Sequence, residues 1–413
     1  MRTIITNISL LAGVRHDGKL RLQGKEQCEL AVIEDAYLLV ENGRIADFGR
    51  DDKMSQDALD ADAEVDAKGG AVLPSWCDPH THIVYAGSRE GEFVDKIRGL
   101  SYAEIARRGG GILNSADLLH DTSEDDLYRQ AKHRLDEMIL KGTGCVEIKS
   151  GYGLNMADEL KMLRVIRRLK ESSPAHVVPT FLGAHAVGRG YDKAEYVRLV
   201  ADEMIPEVGR EGLAEYVDVF CDEGFFTPDD TARILESGAK WGMKPKIHAE
   251  ELAPSGGVEV GVRHGALSVD HLESMGEEGI RTLKGSMTMP TVLPGTSFFL
   301  NMPYAPARRM IDEGLPVAVA SDYNPGSTPS GDMKFAVSLA CIKMRLLPSE
   351  AINAATLNSA YAMGLSDDYG SIEKGKVANF FITEPIPSVE YIPYAYTSPL
   401  IRRVFLRGKE FTA

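Results

Sequence analysis

A chain of 413 residues with 44% hydrophobic content can bury a large core, either as two or three domains or as one large barrel with additions. Its formal charge of −15 works against the concentrated basic surface that nucleic-acid backbones require, and no apolar run is long enough to span a bilayer. The five cysteines, Cys28, Cys77, Cys145, Cys221 and Cys341, contain no Cys-x-x-Cys pair, and an odd, scattered set fits a reducing cytoplasm better than a disulfide framework.

In chain order, Met1 to Leu11 reads as a strand, because polar residues interrupt the apolar core that a secretory signal would need. Residues 1–68 continue as short strands and turns, with Asn42-Gly43 between two apolar segments predicting a hairpin. From 69 onward apolar runs alternate with amphipathic segments: 71–77, 144–149, 176–184, 216–221, 244–248, 266–271, 286–293 and 316–321. The intervening helices are legible from their starts. Ser123 precedes three acids, after which Leu127, Ala131, Leu135 and Met138 keep one face apolar until Gly142; 157–170 and 194–208 repeat the arrangement. Eight buried-type strands alternating with helices predict an α/β fold, a (β/α)8 TIM-type barrel over 69–364, with an open α/β sheet as the alternative. Strand-like text returns at 365–413, so both termini are expected to build one small β-sandwich-like domain beside the barrel.

In such a barrel, chemistry gathers at the carboxyl ends of the strands. Of the ten histidines, His80 and His82 end the first apolar run in Asp78-Pro79-His80-Thr81-His82, His185 follows the third, His248 ends the fifth and His271 the sixth; Asp322 ends the eighth. In extended backbone, residues two apart point to the same side, so His80 and His82 converge. Any one of these side chains alone is more often a hydrogen-bonded core residue. Together they predict a metal site. Lys149 falls on the second strand and reads as part of a polar network. The segment 83–122 is too long for a simple connection, and Arg108-Gly109-Gly110-Gly111 supplies hinge-like glycines for a lid.

The order His-x-His, His, His, Asp on successive strands resembles the amidohydrolase superfamily over nearly the whole chain. His248-Ala249-Glu250-Glu251 has the His-x-x-Glu spacing of its single-metal members, and Val219-Phe220-Cys221-Asp222 lacks the strand-four lysine of two-metal members. More narrowly, Asp78 to His82 running into Ala86-Gly87-Ser88-Arg89-Glu90, with Glu147 to Leu154 and Ser321 to Ser327, resembles the imidazolonepropionase family of histidine degradation. The resemblance implies hydrolysis of 4-imidazolone-5-propanoate to N-formimidoyl-L-glutamate with one zinc or iron ion per chain, in a cytoplasmic homodimer. It implies His80, His82, His248 and Asp322 as metal ligands, and Arg89, Tyr102, Tyr152, His185 and Glu251 as substrate contacts. Asn324, Gly326 and Ser327 would line the product end.

These residue types suit the reaction. Asp322 can take the proton of an attacking water and return it to the departing ring nitrogen, while Glu251 orients the ring or shuttles protons. His271 either polarises the carbonyl oxygen or joins the ligands. Arg89 suits a propionate through its bidentate fork, and the backbone N–H groups of the Asn324–Ser327 turn suit the carboxylate formed on ring opening. Two other readings use the same residues: a deaminase of a heterocyclic base, against which a carboxylate clamp argues, and a non-catalytic scaffold, against which the full ligand set argues.

Overall fold

The computed structural model describes residues 1–100, 104 and 110–412; Tyr102, Arg108 and Gly109 lie outside the described residues. The N-terminal strands are β1 (Arg2–Ala12), β2 (Val32–Glu41), β3 (Arg44–Arg50), β4 (Ala63–Asp66) and β5 (Ala71–Pro74). Asn42 and Gly43 both take positive φ, 50° and 80°, as the tight turn between β2 and β3 requires. The barrel strands follow as β6 (Trp76–Asp78), β7 (Thr143–Lys149), β8 (His176–Ala184), β9 (Tyr216–Cys221), β10 (Lys244–Ala249), β11 (Ser268–His271), β12 (Met289–Val292) and β13 (Ala318–Val319). The C-terminal strands are β14 (Phe380–Thr383), β15 (Ile401–Leu406) and β16 (Lys409–Glu410).

Strands β6 to β13 form one parallel sheet in simple sequence order. They are buried on both faces because helices cover the outside; all seven residues of β7 are buried. The ends of the sheet meet through main-chain bonds. Asp322 N–H donates to His80 O at 3.0 Å and His82 N–H to Tyr323 O at 2.9 Å, and the Asp78 carboxylate accepts from both the N–H and the hydroxyl of Ser321. The closure therefore runs through the residues that carry His80, His82 and Asp322.

One expected strand is divided. The run 71–77 splits at Ser75, with Ala71–Pro74 pairing β1 and β14 and Trp76–Asp78 pairing β7. A continuous apolar run identifies burial but not the sheet that supplies it. The terminal strands hydrogen-bond into a second sheet in the order β16-β15-β14-β5-β1-β2-β3, with β4 also on β1. The expected helices form at Glu124–Leu140, capped by the Ser123 hydroxyl on Asp126 N–H, and at Met156–Ser172, capped by Asn155. The third is Lys193–Leu199 continued through a wider π turn into Ile205–Glu211. No helix among the described residues is long and apolar enough to cross a membrane.

Candidate active site

At the carboxyl end of the barrel the Nε2 atoms of three histidines face one another. His80 and His82 are 3.3 Å apart there, and His82 and His248 are 3.4 Å apart. Asp322 Oδ1 lies 3.6 Å from Nε2 of both His80 and His82. Burial pushes His80 and His82 well below the usual histidine range, with Lys149 adding to the shift at His80 and His185 at His82. Neutral imidazoles turn lone pairs inward, and three imidazole nitrogens with one carboxylate oxygen make a donor set that fits zinc or iron. Ligand atoms of His80, His271 and Asp322 also lie within 4.8 Å of one another, so the geometry keeps His271 near enough for either of its expected roles.

These histidines stand on a buried ionic layer. His80 Nδ1 lies 2.7 Å from Asp270 and His248 Nδ1 lies 3.0 Å from Asp218, which fixes the rings and leaves each Nε2 to face the centre. Lys149 joins these carboxylates, 2.8 Å from Asp218, 3.7 Å from Asp270 and 2.5 Å from Glu147; Lys246 also binds Glu147. Burial alone would raise the Asp218 carboxyl and lower Lys149, but His248 and Lys149 hold Asp218 well below its usual range, and the carboxylates raise Lys149. Asp322 is oriented from its other oxygen, where Oδ2 accepts from Thr296 at 2.6 Å and Ser327 at 3.1 Å.

Above this floor opens a cavity of about 640 Å³ lined by His82, Arg89, Tyr152, His185, His248, Glu251, His271, Asp322, Asn324, Gly326 and Ser327 among others. His80 lies beneath it, fully buried. Tyr152 rides a loop held by Glu159, whose carboxylate accepts from the N–H groups of Gly151, Gly153 and Leu154. His185 Nδ1 sits 3.0 Å from Gly151 O and must donate there, which points its Nε2 lone pair away; burial lowers this ring to about 3, so it is neutral. Asp222 accepts from Leu252 and Ala253 N–H and fixes the turn carrying Glu251. Burial raises the Glu251 carboxyl to about 7 against the pull of His271. Burial alone would lower His271; its Nδ1 is 3.6 Å from Glu251 and 3.5 Å from Glu273, and these carboxylates raise it well above the usual histidine range.

Two expected contacts are arranged differently. The Arg89 fork is closed on Glu92, with Nε at 3.0 Å and Nη2 at 2.7 Å from one oxygen. The N–H groups of Gly326 and Ser327 turn onto the Asn324 side chain at 2.7 and 2.8 Å. An Asx turn satisfies its own amides, so they do not face the cavity as a free anion nest. Sequence reasoning also passed over Asp218, Asp270, Glu273 and Thr296, which hold the site's side chains from behind, and Lys96 and the aromatic wall of Phe93, Phe220, Phe225 and Phe299 in the cavity itself. A period-two reading of β9 and β11 finds Asp218 and Asp270 facing inward, which is the signal that was available for those two. Left-handed backbone also gathers at the site: Glu250, His271, Leu272 and Asp322 hold φ of 54°, 85°, 71° and 56°, values uncommon for non-glycine residues.

The barrel, its closure and this donor set define a metal-dependent hydrolase, and the model of the amidohydrolase family matches residues 71–410. The imidazolonepropionase of Christiangramia forsetii is 55% identical over 411 residues, covering 99% of this chain and 100% of its own; that of Geobacillus kaustophilus is 47% identical, covering 93% and 92%. The chain belongs to the imidazolonepropionase family of amidohydrolases. A zinc-bound adenosine deaminase from Xanthomonas campestris superposes with a TM-score of 0.70 at 17% identity, covering 99% of this chain and 92% of that one, a likeness of fold alone.

Proposed function

We propose that the cavity above His80, His82, His248 and Asp322 is where this chain hydrolyses 4-imidazolone-5-propanoate to N-formimidoyl-L-glutamate, a step of histidine degradation. The observation that carries the assignment is the convergence of three histidine Nε2 atoms beside Asp322 at the floor of a cavity large enough for the substrate. His80, His82, His248 and Asp322 would hold one zinc or iron ion, which lowers the pKa of a bound water toward neutrality.

The rest of the chemistry falls to side chains. Water oxygen bonds to C4 of the ring, the C4–N3 bond breaks, and N3 leaves with a proton. Asp322, oriented through Oδ2 by Thr296 and Ser327, takes the proton from the attacking water and delivers it to N3. His271, held between Glu251 and Glu273, donates to the C4 carbonyl oxygen as charge gathers there. Glu251 orients the ring N–H, Tyr152 and His185 form one wall, and Arg89 with the Asn324–Ser327 turn forms the carboxylate-facing end; Tyr102 is assigned as a contact on resemblance. The scattered free cysteines support a cytoplasmic setting. Resemblance supports a homodimer without nucleic-acid or membrane partners, and equilibrium sedimentation should return twice the chain mass.

The test is ring loss by ultraviolet absorbance with mass detection of N-formimidoyl-glutamate, on metal-loaded protein and its Asp322→Asn variant. Turnover without ammonia, falling at least about a thousandfold in the variant, is expected from losing an essential proton carrier. Ammonia release, or no turnover by protein carrying one metal ion per chain, would overturn the assignment.

A further inference from the structure

The carboxylate-facing end of the cavity holds three charged side chains on or beside one helix, Glu90–Ile97, and their pairing is uneven. Arg89 spends two of its donor groups, Nε and Nη2, on Glu92, and its Nη1 is pressed against Gly326: a Cβ built there would sit 2.3 Å away. Glu92 is itself committed, since its second oxygen accepts from Gly111 N–H and Asn114 Nδ2 at 3.0 and 3.2 Å. The Arg89 charge is therefore largely matched before any substrate enters.

Lys96 differs. It lines the same cavity, its Nζ donates to Gly326 O at 2.9 Å, and it stands 5.8 Å over the Phe299 ring. A carbonyl and an aromatic face accept part of an ammonium's hydrogen-bonding and charge without neutralising it. Among the described residues no carboxylate forms an ion pair with Lys96, so its charge stands in addition to the Arg89–Glu92 pair. Burial and the neighbouring Arg89 press its ammonium toward deprotonation, a penalty that an incoming carboxylate relieves.

We infer that Lys96 is a substrate-binding residue, adding beside Arg89 a positive charge that recognises the propionate. The inference rests on the reaction proposed above. It makes the site selective for an anionic side chain over a neutral one of the same shape, because an uncharged amide leaves the half-buried ammonium uncompensated.

The experiment compares 4-imidazolone-5-propanoate with its propanamide on the metal-loaded full chain and on Lys96→Met, Lys96→Gln and Lys96→Arg. Loss of one charge-assisted bond predicts a KM for the propanoate raised about 30-fold in the Met and Gln variants, with kcat within about threefold. The KM for the propanamide should stay within about twofold, and Lys96→Arg should recover most of the selectivity. Equal shifts for both compounds, or none for the propanoate, would overturn the role of Lys96 and leave the reaction standing. Wild-type protein that opens neither ring overturns the reaction itself. Two uncharged variants of different polarity keep the comparison valid should one fail to fold.

Discussion

Glu251 and His271 show how one environment sets two groups in opposite senses. Burial raises the Glu251 carboxyl to about 7, whereas two facing carboxylates overcome burial at His271 and lift its imidazole well above the usual histidine range. If ring orientation needs the Glu251 carboxylate, protonation removes it as pH falls through about 7. The rate constant kcat/KM should then drop on that acid side, and Glu251→Gln should flatten that limb at a lower plateau; an unchanged limb in the variant would assign it elsewhere. The histidines were legible in the sequence because strand periodicity places them without any knowledge of neighbours. Thr296 was not, since a threonine within Pro294–Leu300 is an ordinary residue until folding brings it 2.6 Å from Asp322, 26 positions away.

The turn from Asn324 to Ser327 behaves as a rigid strap. Asn324 Nδ2 donates to Asp322 O at 2.8 Å and to Ser327 Oγ at 2.6 Å while its oxygen takes the amides of Gly326 and Ser327, so this one side chain ties the turn to Asp322. Gly326 leaves the space occupied by Arg89. Gly326→Ala should therefore push the guanidinium away, raising KM for the propanoate by about tenfold with kcat nearly unchanged, as expected for lost binding common to ground and transition states. A fall in kcat at constant KM would instead show that the strap acts through Asp322. The Asn-Pro-Gly-Ser text announced a turn, but its amide partners depended on whether Asn324 closed on itself, which composition does not encode.

For the whole molecule, the helix and strand alternation was readable because each element carries its own period and caps. The ionic layer under the histidines was not readable, since Glu147, Lys149, Asp218, Lys246 and Asp270 come from four strands and look individually like misplaced surface residues. Removing one charge from such a layer strands its partners. Lys149→Met should lose about 3–5 kcal/mol of stability, read by chemical denaturation, together with bound metal, read by elemental analysis. Retention of both would mean that the carboxylates simply take up protons. The division of the 71–77 run at Ser75 reaches beyond packing, because it makes β5 and β6 one unbroken segment shared between two sheets. Ala71 N–H bonds the Thr383 hydroxyl across 312 positions, and β14 flanks β5 on its far side. During synthesis, then, the segment carrying His80 and His82 must wait with one flank unpaired until β14 emerges. The first barrel strand is thus joined, through Ser75, to a strand whose last partner is among the final ones to emerge.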